Sequence, residues 1–334
     1  MTRTIWVYAN SDTATLAVAT YLLDWAQANP GCALGGATGR SPINVWSNVW
    51  SELNGPRASE KSSFVDRHVL FLDEYFGAHP SYYHWAQRNL RVGKGGFGQH
   101  HIHTPRGCFF EFDRVVDSAR LNELLAEYPE QWDAMTAVGE DEVPPEVRFN
   151  SSVEHPVLSK LQQSMDDYDN LVKQHNDRLQ LLGIGVGGAI DNDSRAGGHI
   201  GFVEYGAASR DTKTMLVRMA SSTLDANRAD FNLVTSSDQA DTTLQSTQFA
   251  VTQGISTILS AGELLLMAWG KSKTKAVQRM LHGQPSPYNP AAWVQEHSNV
   301  TIFLDEEAAT DLNLDDLADQ GWTTIDRRIG SSAS

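Results

Sequence analysis

The sequence predicts an α/β protein built on a doubly wound, mostly parallel open sheet with helices on both faces. Two observations favour this class: short apolar runs alternate with amphipathic stretches along most of the chain, and no repeat period is present. The chain has 334 residues, of which 41% are hydrophobic, and this is enough for a large core. We therefore expect a single α/β domain over residues 1–334.

The elements follow one another as a parallel sheet requires. Strands are expected at 5–9, 32–37, 65–72, 179–184, 212–219, 264–269 and 300–304. Helices are expected at 11–28, from about 42, from about 81, and at 162–176, 248–260, 270–281 and 306–318. The segment 109–156 departs in composition and is interpreted as an acidic surface insertion, and a short flexible tail ends the chain.

The bulk composition argues against several functional classes. A net charge of −15 disfavours nonspecific binding to nucleic acid or to an anionic membrane. Cys32 and Cys108 are the two cysteines, so we expect neither a disulfide framework nor a Cys-based zinc site. The N-terminus lacks the pattern of a secretory signal, and the most apolar run, 264–269, is too short to span a bilayer. A cytoplasmic protein is expected.

The stretch from Leu181 to Glu204 is the first candidate for chemistry. An apolar run breaks into glycines and ends with His199 and Glu204. A buried strand that delivers an imidazole and a carboxylate to a glycine-rich turn is typical of a functional site.

Two further candidates lie at the ends of predicted strands. Thr38-Gly39-Arg40-Ser41 runs from a strand into a helix N-terminus, where backbone N–H groups and the helix dipole favour a phosphate, although an ordinary βα turn is the alternative. Asp73-Glu74 follows the strand at 65–72, and one of these carboxylates is a candidate general base. The alternative is a pair of capping or loop carboxylates.

Three other motifs are weak. Gly183-x-Gly185-x-x-Gly188 satisfies a dinucleotide fingerprint, but a polar stretch follows it where a helix is needed. Gly270-Lys271-Ser272 is similar to the end of a P-loop, but Leu265 stands where the first glycine is required. The histidines at 100, 101 and 103 have no acidic or cysteine partner at usable spacing, which favours a surface strand over a metal site. We therefore expect no metal and no cofactor.

Taken together, these stretches resemble the glucosamine-6-phosphate deaminase (isomerase) family, which is related to the 6-phosphogluconolactonases. The resemblance rests on the loop at 38–42, on FLDEYFG with HPSYY behind it, on GGHIGFVE, and on TQGISTILSA leading into WGKSKTKAVQRMLHG. It covers most of the chain outside the insertion and the tail. It implies a phosphorylated hexose or hexosamine as substrate and a homo-oligomer as the assembly.

The resemblance also implies residue roles. Asp73 would carry a proton between C2 and C1 of the opened sugar through an enediol. His199 would open the pyranose ring, with Glu204 orienting or tuning it. Residues 38–41 with Lys273 would hold the 6-phosphate, and Arg228 matches a family arginine near the substrate.

One turn departs from the family pattern. The family has Asp-Gly-His where this chain has Gly197-Gly198-His199, so the aspartate that would hold the imidazole is absent from its usual place. Asp191 or Asp193, in a longer preceding loop, is a candidate replacement. Three functions therefore stay open: a deaminase/isomerase, which is the leading hypothesis, a 6-phosphogluconolactonase-like hydrolase, and a non-catalytic sugar-phosphate-binding protein.

Overall fold

The computed structural model describes residues 2–77, 81–90, 97–98, 101–134, 146–150, 153–186, 196–206, 209–221, 223–225 and 247–328. The strands are β1 (Thr2–Tyr8), β2 (Leu34–Gly36), β3 (Val69–Phe71), β4 (Asp73–Tyr75), β5 (Ile102–His103), β6 (Phe110–Glu111), β7 (Arg114–Val115), β8 (Trp132–Ala134), β9 (Glu146–Phe149), β10 (Leu179–Gly183), β11 (Met215–Arg218), β12 (Phe249–Thr252), β13 (Glu263–Ala268), β14 (Asn299–Asp305) and β15 (Thr323–Arg327).

The α-helices are α1 (Ser11–Ala28), α2 (Arg40–Leu53), α3 (Ser62–Val65), α4 (Tyr82–Asn89), α5 (Ser118–Glu127), α6 (Pro156–Gln174), α7 (Ile255–Leu259), α8 (Thr274–His282) and α9 (Leu314–Asp319). Short 3-10 helices lie at Ala58–Glu60, Pro129–Gln131, Lys271–Lys273 and Pro290–Glu296. In the part of the chain that these elements cover, no helix is long and apolar enough to cross a membrane.

A parallel sheet of eight strands forms the centre of the molecule, in the order β15-β1-β14-β13-β10-β2-β3-β5. Strand β13 lies in its middle and is buried at every position, as its continuous apolar run predicts. Helix α1 begins at Asn10, whose side chain accepts the N–H of Thr13 at 3.0 Å, and it buries Val18 and Leu22 against the core. The predicted fold class is confirmed.

A second, antiparallel sheet adjoins the first, in the order β4-β12-β11-β9-β8. Its hydrophobic core is separate and takes side chains from both ends of the predicted insertion, among them Phe109, Leu121, Leu124 and Val147. The described part of the segment 109–156 thus supplies α5, β8 and β9. The insertion itself remains a prediction, and the tail at 329–334 lies outside the described residues.

Two helix predictions are wrong in part. The range 248–260 was expected to be helical, but Phe249–Thr252 forms β12, which is buried on both faces between β11 and β4. A buried strand of four residues carries no periodicity that distinguishes it from the start of a helix. The range 306–318 is helical only from Leu314, after a series of turns.

Four histidines stack beside β3 and β5, at the edge of the parallel sheet. The ring centroids of His101, His103 and His175 lie 4.6, 5.0 and 4.8 Å from that of His68. A hydrogen bond joins His68 Nδ1 and His103 Nε2, which are 2.8 Å apart. No His, Cys, Asp and Glu cluster among the described residues has a geometry suited to a metal, and His100 lies outside those residues.

This histidine cluster predicts loss of stability in acid. Burial, followed by the charges of the neighbouring imidazoles, lowers the pKa of His103 from 6.5 to about 4. The unfolded chain therefore takes up this proton at a higher pH than the folded protein, so stability falls as pH drops from about 6.5 to about 4. We expect His103→Gln to flatten this fall in urea unfolding measured across the pH range. His282→Gln on α8 is the control, and an unchanged slope in His103→Gln would contradict the assignment.

Candidate active site

The predicted site residues follow four neighbouring strands of the parallel sheet. Thr38 follows β2, Asp73 follows β3, His199 lies on the loop after β10, and Lys273 follows β13. These strands are adjacent in the order β13-β10-β2-β3. Because the carboxyl ends of parallel strands meet at one edge, the fold gathers the four segments into one region.

Asp73 lies where the chain leaves the parallel sheet and enters the antiparallel one. Its side chain is 7% exposed, and it accepts a hydrogen bond from the Thr38 hydroxyl at 3.4 Å. Burial, and then the charge of Glu74, raise the pKa of Asp73 to about 7. A carboxyl group that titrates near neutral pH can both accept and return a proton, as a general base requires.

The neighbouring carboxylate, Glu74, is a structural group. It accepts the backbone N–H groups of Tyr75, Tyr82 and Tyr83 at 2.9, 3.1 and 2.8 Å, and the Ser81 hydroxyl at 2.9 Å. Burial raises the pKa of Glu74 to about 7, while these four hydrogen bonds act in the opposite direction. Since three of the donors lie at the start of α4, the capping alternative holds for Glu74.

His199 and Glu204 form a buried pair. Nδ1 of the imidazole lies 3.5 Å from a carboxylate oxygen of Glu204, and the side chain of Thr223 donates a short hydrogen bond to the other oxygen. The backbone of His199 exchanges two hydrogen bonds with Gly185, at 2.9 and 3.1 Å. Burial lowers the pKa of His199 below 6.5; Glu204 opposes this shift and Lys273 adds to it. Burial thus favours the neutral form of the imidazole.

Thr252 connects the histidine turn to Asp73. It pairs with Asp73 across β4 and β12, and its hydroxyl oxygen accepts the N–H of Phe202 at 3.2 Å. Gly201 has a φ of +58°, and a Cβ at this position would lie 2.7 Å from the Thr252 hydroxyl oxygen and 3.9 Å from an Asp73 carboxylate oxygen. The turn that carries His199 therefore lies directly beside the candidate base.

The predicted phosphate loop has the backbone that anion binding requires. Gly39 precedes α2 with a φ of +94°, and no side chain caps this helix. Within the part of the chain that the structure describes, the first turn of α2 therefore has no side-chain acceptor at its cap, which suits it to an external one. Lys273 lies at the start of α8 and is near enough to lower the pKa of His199, so a cation stands on the same side of the sheet.

Three predicted site residues cannot be placed. Arg228, Asp191 and Asp193 lie outside the described residues, and their roles remain predictions. Thr223 and Thr252 were missed, although Thr252 opens the TQGIS stretch that carries part of the resemblance. Neither contact has a signal in local sequence, because each joins residues far apart in the chain.

Comparisons with known proteins agree on one family. Glucosamine-6-phosphate deaminase from Rhodopirellula baltica is 29% identical over 310 residues, which is 92% of this chain and 94% of the relative. The deaminase from Colwellia psychrerythraea is 31% identical over 290 residues, which is 86% of this chain and 81% of the relative. No protein-family model matches the chain.

Solved structures support the fold. A monomeric glucosamine-6-phosphate deaminase of the NagB superfamily superposes with a TM-score of 0.64 at 24% identity, covering 92% of this chain and 99% of the other. A 6-phosphogluconolactonase from Trypanosoma cruzi gives 0.57 at 14% identity, covering 94% and 98%. These likenesses concern the fold alone. Since the similarity to the Colwellia psychrerythraea deaminase extends over 86% of this chain at 31% identity, the chain belongs to the glucosamine-6-phosphate deaminase family.

Proposed function

We propose that this protein converts a 2-amino-2-deoxyhexose 6-phosphate into a ketose 6-phosphate and ammonia. The observation that carries the proposal is the placement of Asp73, a buried carboxyl group with a pKa of about 7, beside the turn that holds His199. The substrate class is that of its deaminase relatives.

Ring opening is the first step, and His199 performs it. When the pyranose opens, the C1 hydroxyl loses its proton and the ring oxygen gains one. A neutral imidazole beside a carboxylate can accept the first and return the second, because the positive charge that forms in between is stabilised by Glu204. Thr223 fixes the Glu204 carboxylate for this role.

Proton transfer between carbons is the second step. Ionised Asp73 removes the proton from C2, which gives an enediol, or an enaminol when C2 carries nitrogen. The same carboxyl group then delivers the proton to C1. The C2–H bond breaks and a C1–H bond forms, while O1 gains a proton and the C2 amino group loses one, so the C1 aldehyde becomes an alcohol and C2 becomes an imine. Water adds to C2, and ammonia leaves to give the ketone.

Binding of the remote phosphate orients the sugar for both steps. The uncapped start of α2 supplies N–H donors, and Lys273 supplies a positive charge. Binding energy gained at the phosphate can hold C1 and C2 against Asp73. Without the phosphate contacts, the carboxylate alone would bind a neutral sugar weakly.

Location and assembly are further parts of the proposal. The net charge of −15 and the two cysteines favour a cytoplasmic protein, and the family resemblance favours a homo-oligomer. Light scattering after size-exclusion chromatography measures the assembly directly.

Replacing the base tests the reaction. We expect Asp73→Asn to reduce solvent-proton exchange at C2 by about 10²-fold or more, because the amide cannot accept the proton. NMR measures this exchange. Asp319→Asn, at an exposed position on α9, is the matched control. Undiminished exchange would remove Asp73 as the base. Hydrolysis of 6-phosphogluconolactone that does not depend on Asp73 would favour the lactonase hypothesis instead.

The pKa of Asp73 predicts the acid side of the pH profile. Because the carboxylate must be ionised to accept the C2 proton, kcat/KM is expected to fall as pH drops through about 7. Below this range the decline should be tenfold per pH unit. A profile that stays level down to pH 5 would show that the catalytic carboxyl group has an ordinary pKa.

Lys273→Gln tests the phosphate site. A hydrogen bond to a charged group contributes about 1.5–3 kcal/mol, so KM for the sugar phosphate should rise roughly tenfold or more. Activity on the same sugar without its phosphate should change much less. Lys271→Gln, at an exposed position two residues earlier, serves as the control. Equal losses on both sugars in Lys273→Gln would place this lysine away from the phosphate.

A further inference from the structure

The side chain of Asn289 occupies the space that a side chain at position 197 would take. A Cβ built on Gly197 would lie 1.7 Å from Asn289 Oδ1 and 2.4 Å from its Cγ, so the two positions cannot both carry side chains in this arrangement. Asn289 is 4% exposed, and its Nδ2 donates to the carbonyl oxygens of Arg279 and Gln284 at 2.8 and 3.5 Å. Its amide is therefore oriented, with Oδ1 towards the glycine turn.

Two buried polar atoms of this turn have no hydrogen-bond partner in the described part of the chain. They are Oδ1 of Asn289 and Nδ1 of His199, which stands 3.5 Å from Glu204 without bonding geometry. Buried acceptors and donors are nearly always paired, so unpaired ones at a site indicate a functional use. One atom belongs to the turn that carries the ring-opening group, and the other faces that turn at Gly197.

The segment around Asn289 also holds the turn by its backbone. The contacts are Gly197 N–H to the Tyr288 carbonyl at 2.9 Å, Ala291 N–H to the Gly198 carbonyl at 3.0 Å, and the Arg279 guanidinium to the Ala196 carbonyl. Residues 196–198 are thus held to the chain at 279–291 by two main-chain hydrogen bonds and by one from the Arg279 side chain. Movement of Asn289 would move His199 with it.

We propose that Asn289 is a positioning residue for His199. Asn289 fills the place of a side chain at 197 and presents a neutral acceptor, in place of a carboxylate, beside the ring-opening turn. This inference deepens the proposed function and rests on it for its effect on turnover. Among the described residues, Glu204 and Lys273 act on the imidazole, an Asp73 carboxylate oxygen lies beside the same turn at Gly201, and Arg279 binds the turn at the Ala196 carbonyl. A second carboxylate here would add to the effect of Glu204 and stabilise the protonated ring.

Exchanging the two side chains tests the proposal. In Gly197→Asp the new side chain meets Asn289, and displacement of the turn should lower kcat about 10²-fold. In Gly197→Asp/Asn289→Gly the clash is removed, and at least tenfold of that loss should return. In Asn289→Gly alone, kcat should fall with little change in KM, because the turn loses its support.

The effect of a carboxylate on the protonation of His199 can be measured without an activity assay. The NMR titration of the His199 imidazole, assigned by its loss in His199→Gln, should shift to higher pH in Gly197→Asp/Asn289→Gly than in Asn289→Gly. Asn289→Asp, which adds the carboxylate from the other side, should shift it in the same direction and serves if the double variant fails to fold.

Unchanged imidazole titration in these variants, or a double variant no more active than Gly197→Asp, would overturn the proposal and leave Asn289 as a support of its own loop. A wild-type protein without isomerase activity would instead refute the proposed function, while the titration would still decide the placement of Asn289.

Discussion

The site depends on the burial of one carboxyl group at the junction of two sheets. Asp73 is the residue at which the chain passes from β3 of the parallel sheet to β4 of the antiparallel sheet. Pairing with Thr252 fixes its backbone, and Thr252 in turn receives the N–H of Phe202 from the histidine turn. The same short strand therefore sets the position of the proposed base and the position of the proposed ring-opening group. Burial at this junction also raises the pKa of Asp73 to about 7.

Adjacent carboxylates take different roles because their surroundings differ. Glu74 accepts four hydrogen bonds, three of them from the backbone, and is committed to the start of α4. Among the described residues, Asp73 receives one long hydrogen bond, from Thr38, which leaves acceptor capacity for a substrate. The charge on Glu74 contributes to the raised pKa of Asp73, so the structural carboxylate also tunes the proposed catalytic one.

Local sequence was sufficient for much of the fold and for the positions of the main groups. Strand β13 follows from its apolar run, α1 from its apolar spacing, and Asp73, His199 and Glu204 from short motifs at strand ends. Local sequence failed at β12, where four buried residues gave no period. It left open which of Asp73 and Glu74 is the capping group, because the donors to Glu74 lie up to nine residues away. Asn289 was out of reach because its contact with Gly197 exists only after the chain has folded.

The most direct measurement is a crystal structure with a reduced, open-chain amino-sugar phosphate bound. We expect the phosphate to lie at the start of α2 near Lys273, and C1 and C2 to lie between the Asp73 carboxylate and the His199 imidazole. A ligand whose C1 and C2 lie away from Asp73, or whose phosphate lies elsewhere than at residues 38–41, would contradict it.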